Sequence, residues 1–90
     1  MKRDPLSNIL MDSSTRELTS SDLYGMSSEQ LELARNEIYA RHGRKFDDPD
    51  IRAYFEAQSW YNGVIEPEDF TEDMLSEIEK RNIQFIKSYE

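Results

Sequence analysis

The densest run of residues able to do chemistry lies between Arg35 and Lys45. There Arg35, Arg41, Arg44 and Lys45 surround the single histidine, His42, with Glu37 as the only acid. Guanidinium and ammonium groups at this density suit anion binding, because charge-assisted hydrogen bonds recognise carboxylates and phosphates. An imidazole could act as a general base, but that role needs a nucleophile and an orienting acid held in reach. Serines and acids are too common in this chain for their presence to identify such partners. A non-catalytic role is therefore expected. Trp60 and Tyr61, beside Asn62-Gly63, are a second set of candidates: a ring left exposed there suits stacking on a sugar or a partner protein, with core filling as the competing use. Arg41, Arg44, Lys45, Trp60 and Tyr61 together form the candidate ligand-contact set.

These groups must be positioned by helices. Leu18-Thr19-x-x-Asp22-Leu23, Met26-Ser27-x-x-Gln30-Leu31 and Phe70-Thr71-x-x-Met74-Leu75 each place an apolar residue before Ser or Thr and another five positions on. That is hydrophobic-staple spacing, and the second copy adds a Ser-x-x-Gln capping box. Gly43 supplies a left-handed C-terminal cap, and Asp48-Pro49 opens another helix with proline at its first position. The expected fold is all-α: a small bundle of three main helices (about 28–42, 49–58 and 72–88) with a helical turn at about 20–24. An aromatic-containing loop joins the last two helices, and Asn62-Gly63 within it is read as a plain loop rather than a hairpin. Residues 1–13 mix charge, Pro, Ser and Asn without a period and read as a flexible lead-in or linker. Residues 14–90 form the single domain.

Projecting residues at about 100° per step groups Leu31, Ala34, Arg35, Ile38 and His42 on one stripe of the first long helix. The last helix groups Leu75, Ile78, Glu79, Asn82, Ile86 and Tyr89 in the same way. Polar side chains on facing inner stripes need partners, since a buried charge without one is strongly disfavoured. Arg35 is expected to pair with Glu79, and Asn82 to serve His42 or a free backbone carbonyl. Arg35, His42, Glu79 and Asn82 thus form an expected structural polar network.

Arg35-Asn36-Glu37-Ile38-Tyr39-Ala40-Arg41-His42-Gly43 resembles the signature of the YARHG domain, whose name spells Tyr39 to Gly43. The likeness runs from about Ser14 to Glu90. It takes in Leu18-Thr19-x-x-Asp22-Leu23, then Phe46, Phe55 and Trp60-Tyr61, and finally Leu75-x-x-Ile78-Glu79-x-x-Asn82-Ile83-x-x-Ile86 with Glu90. The resemblance implies a bacterial module, taken to be extracellular, that accompanies peptidase, kinase and lipoprotein segments. It implies no particular molecular activity.

Composition narrows the classes further. A net charge of −8 argues against binding a nucleic-acid backbone, whose affinity comes from Lys and Arg on phosphates. The absence of cysteine removes thiolate catalysis and Cys-based zinc sites, and one histidine makes a dedicated zinc site improbable. Asp47-Asp48-Pro49-Asp50 lacks the later Gly and bidentate Glu of an EF-hand loop. No cofactor and no metal are expected. The apolar cluster of Leu6, Ile9, Leu10 and Met11 is too short and interrupted for a membrane span or a signal h-region. The expected protein is a monomeric accessory or binding module of a bacterial surface or secreted protein. Its expected partner is a cell-wall or anionic envelope polymer, with docking on an adjacent, enzymatic domain of a parent protein as the alternative.

Overall fold

Local sequence fixes the helix ends. In the computed structural model, which describes residues 9–90, the helices are α1 (Ser20–Leu23), α2 (Ser28–Arg41), α3 (Pro49–Glu56) and α4 (Glu77–Tyr89). Ser27 caps α2 by accepting from the Gln30 amide at 3.1 Å, while the Gln30 side chain accepts from the Ser27 amide at 2.9 Å. Asp48 caps α3 by accepting from the amides of Asp50 and Ile51, with Pro49 opening the helix. The chain is all-α, and no named strand occurs among the described residues.

α2 ends in a Schellman motif. The Gly43 amide donates to Ala40 O at 2.9 Å, and the Arg44 amide to Tyr39 O at 3.3 Å. Gly43 has φ +86°, and a Cβ there would lie 3.0 Å from Asn62 O and 3.1 Å from Val64 Cγ2. Both the left-handed backbone and the close approach therefore require glycine. The Gly43 carbonyl accepts from the amides of Val64 and Ile65, and Lys45 N donates to Ile65 O, which draws the 60–66 loop against the helix end. Asn62-Gly63 thus sits in a loop, with one isolated parallel bridge between Arg44 and Ile65.

α2 is the central element because it feeds two apolar clusters. Leu31 and Ile38 join Leu18, Leu23, Leu75, Ile83 and Ile86 between α2 and α4. Ala40, flanked by Leu33, joins Phe46, Phe55 and the half-buried Tyr54, Trp60 and Tyr61 on the side of α3, and Tyr39 touches both clusters. A helix covered on several sides has no single apolar stripe, so its buried set is wider than the projection implies. It includes Asn36 and Glu37, while Arg35 lies at the edge.

α2 stops at Arg41 with His42 as its cap and α3 at Glu56, near their expected ends. Two expectations about the last helix need correction. The last helix begins at Glu77 rather than 72, because Ser76 and Glu79 form the capping box that sets its start; residues 72–74 are one turn of 3-10 helix. On α4 it is Ile83, not Tyr89, that completes the buried face. Within residues 9–13, part of the expected lead-in, Ser13 is fully buried, and residues 9–18 run as a strap across α2 and α4. The rest of the expected lead-in, residues 1–8, lies outside the described residues.

Candidate functional site

Glu37 and Arg41 stand one turn apart on α2 and clamp the strap. The Glu37 carboxylate, with no solvent exposure, accepts from the amides of Ile9 at 2.7 Å and Leu10 at 3.0 Å, and from Arg41 Nη2 at 3.0 Å. Arg41 Nη2 also donates to Leu10 O, while Nη1 donates to the hydroxyls of Ser13 and Ser14. Burial pushes the Arg41 guanidinium below its ordinary pKa, and the charges of Glu37, Glu79 and Asp12 oppose that shift. The pair is a buried ion pair that, among the described residues, also bonds backbone and serine.

Ser14 links this clamp to a second one. Its hydroxyl donates to Glu79 Oε2 at 2.6 Å, and His42 Nε2 lies 2.9 and 3.0 Å from the two oxygens of the same carboxylate. A carboxylate only accepts, so Nε2 carries the proton. Glu79 Oε1 also accepts from the Ser76 amide, which makes it both the capping group of α4 and the acceptor between helices. Burial raises the Glu79 pKa, but the bonds from Ser14, Ser76 and His42 together hold it below the ordinary value of 4.5. Asn82, one turn on, accepts from Leu18 N and donates to Ser13 O and Arg16 O. The hydroxyl of Ser14 faces a carboxylate and a guanidinium, not the imidazole.

The remaining candidates separate. Arg35 does not reach Glu79; it makes a bidentate pair with Glu90 at 2.5 and 3.2 Å, because it sits at the flank of α2 beside the end of α4. Arg41 is not an outward contact, being turned into the strap. Lys45 pairs with Glu66 in an exposed contact. Trp60 and Tyr61 are half-buried against Phe55 at 6.1 and 6.0 Å between ring centroids, and the Tyr61 hydroxyl donates to Arg44 O. Gly63 is needed there because a Cβ would meet the Tyr61 ring. Arg44 is different. Its guanidinium lies 5.5 Å from the Tyr39 ring centroid and 5.4 Å from that of Phe46, and it makes no ion pair among the described residues. It lines a groove with Arg35, Asn36, Tyr39, Phe70 and Glu72. Among the described residues no group of three or more His, Asp or Glu side chains could hold a metal ion.

A model of the YARHG domain matches residues 7–90. The chain belongs to the YARHG domain family. No curated protein and no solved structure matches it. Within the YARHG signature, the residues that name the domain have separate tasks: Tyr39 joins the two apolar clusters, Ala40 fits under Phe46 and Phe55, Arg41 holds the strap, His42 holds α4, and Gly43 turns the chain. Sequence reasoning missed Glu37 and the two serines. The signal for Glu37 was its position four residues before Arg41, an orientation that favours pairing along a helix. Ser13 and Ser14 carry no comparable signal, since nothing local marks a serine as an acceptor for a remote arginine.

Proposed function

We propose that this domain is a non-catalytic accessory module of a bacterial surface or secreted protein, and that it contacts a component of the cell envelope. The observation that carries this reading is the division of labour in the signature. Glu37, Arg41, His42, Glu79, Ser14 and Asn82 spend their hydrogen bonds on the strap, the α4 cap and one another. A Ser, a His and a Glu are close together, but the carboxylate lies between the other two, which is the wrong order for transferring a proton from hydroxyl to imidazole. What faces outward is Arg44 on its two rings, a cation positioned for recognition. Amide chemical-shift titration with purified cell-wall fragments tests the proposal. Shifts gathering on Asn36, Tyr39, Arg44 and Phe70 are expected, and a flat response to every fragment sinks it.

A second reading, docking on a neighbouring domain, is favoured by a different surface. Leu23, Tyr24, Met26, Leu31 and Tyr89 line an open apolar groove of about 560 Å³, and Tyr24 is 91% exposed at its rim. Titration with adjoining domains of a parent protein, reporting on Tyr24 and Tyr89, separates this reading from the first.

A further inference from the structure

We propose that the groove around Arg44 binds the carboxy-terminus of a peptide, with Arg44 taking the carboxylate and Asn36 the neighbouring amide N–H. This rests on the reading of the domain as a binding module and names the chemistry of its site. Arg44 is pre-organised from both sides of its backbone. Its amide donates to Tyr39 O, its carbonyl accepts from Tyr61, and it bridges to Ile65. The guanidinium then rests on the faces of Tyr39 and Phe46, which fix its plane and leave its N–H groups without a carboxylate among the described residues. Holding an arginine this way removes much of the ordering cost that an exposed side chain incurs on binding.

Asn36 supplies the complementary group. It is more than nine-tenths buried yet lines the groove, and its Nδ2 donates to Glu32 O at 2.9 Å, which fixes the orientation of the amide. Its Oδ1 accepts no hydrogen bond among the described residues. A donor fork and a bare acceptor in one groove match a carboxylate beside an N–H, the pattern of a terminal acyl-amino acid.

Charge balance argues against a polyanion. Arg35 is already neutralised by Glu90, and Glu72, whose carboxylate lies 3.5 Å from the Tyr39 hydroxyl, stands on the rim. A string of phosphates would meet Glu72, whereas one carboxylate with an adjacent N–H donor would not. The volume, about 240 Å³, lies below the usual range for small-molecule sites of roughly 300–1,000 Å³ and admits only the last one or two small residues. Pro67 and Phe70 provide an apolar wall for them.

The test titrates the domain with N-acetyl-Ala-Ala in its all-L form, representing a protein terminus, and its all-D form, representing a cell-wall peptide. The C-terminal amides and glucuronate serve as comparisons, and the readouts are the Arg44 Nε–H and the Asn36 side-chain amide. At least one free-acid peptide is expected to shift both signals, and its amide to bind about tenfold more weakly. The stronger stereoisomer identifies the source. Arg44→Gln should abolish the response, Arg44→Lys should leave a weaker one, and Glu72→Gln should tighten it. Equal binding of acid and amide forms overturns the proposal, as does glucuronate binding as well as the peptide. If cell-wall fragments shift other residues while both peptides are silent, the groove assignment fails and the binding-module reading stands; silence toward fragments and peptides alike removes both.

Discussion

Glu79 is where the interior of this domain is most exposed to test. Its carboxylate accepts from a hydroxyl, an amide and an imidazole supplied by three parts of the chain. Replacing it with alanine leaves those donors at a buried site, and a loss of about 3 kcal/mol in urea unfolding is expected. A double-mutant cycle should find coupling between His42 and Glu79 and none between Arg35 and Glu79; the reverse result would contradict the network. The same residue predicts a pH dependence. Its folded pKa is held below 4.5 by its donors, so the folded state binds the proton less readily than the unfolded chain does. The stabilisation is complete above the unfolded value and is lost as pH falls through the folded one. Unfolding midpoints should therefore drop on acidification below about 4.5, and Glu79→Gln should flatten that dependence. Asp22, also lowered by its bonds from Arg16 and the Thr19 amide, adds a second acid-sensitive contribution, so Asp22→Asn is the control.

At the scale of elements, the starts of α2 and α3 were legible in their capping residues, whereas at α4 a half-complete signal was read in place of the complete one beside it. Ser27-x-x-Gln30 and Asp48-Pro49 marked α2 and α3 in the sequence, and both caps form. Phe70-Thr71-x-x-Met74 carried the staple spacing without a capping acid at the fourth position, and it yields only a 3-10 turn. Ser76-x-x-Glu79 had the full box and sets the start of α4. Ser76→Ala is accordingly expected to cost about 1 kcal/mol and Thr71→Ala only a few tenths, measured by thermal unfolding. The polar site was legible in part. His42, Glu79 and Asn82 could be placed inward by periodicity, but the projection put Arg35 inside and left Arg41 at the flank, to be read as a ligand contact. It assumed a one-sided helix, whereas α2 is covered by α4, by the α3 cluster and by the strap. Gly43 was legible for a physical reason, namely the left-handed turn it permits. Gly43→Ala should destabilise by about 1–3 kcal/mol, since the added Cβ meets the backbone at Asn62 as well as an unfavourable φ.

For the molecule as a whole, the question is whether the strap belongs to the cooperative unit. A chain of this size buries only about 60% of its unfolded surface and has little stability to spare. The radius of gyration, 12.6 Å, agrees with the roughly 12 Å expected of a single domain of this length, and residues 9–18 lie within it. The strap contributes Leu18 to the core and half-buried Leu10 to its margin, yet most of its attachment is polar, running from Glu37, Arg41, Glu79 and Asn82 into backbone or serine. Those four side chains come from two helices far apart in sequence, so the strap ties α2 to α4 at the end where Gly43 turns the chain away. A protein beginning at Thr15 loses the Ile9 and Leu10 amides that bond Glu37, the Leu10 carbonyl and the Ser13 and Ser14 hydroxyls that bond Arg41, and one bond each to Asn82 and Glu79, from Ser13 O and the Ser14 hydroxyl. A stability loss of about 3 kcal/mol or more is expected, enough to make the domain marginal at room temperature. Native-state amide exchange on the intact chain decides the matter independently. The amides of Ile9, Leu10 and Leu18, each held by a buried side chain, should be protected to within about tenfold of those in the middle of α2. If they exchange orders of magnitude faster, the strap opens on its own, and the signature residues beneath it must be reconsidered as a surface that is intermittently uncovered.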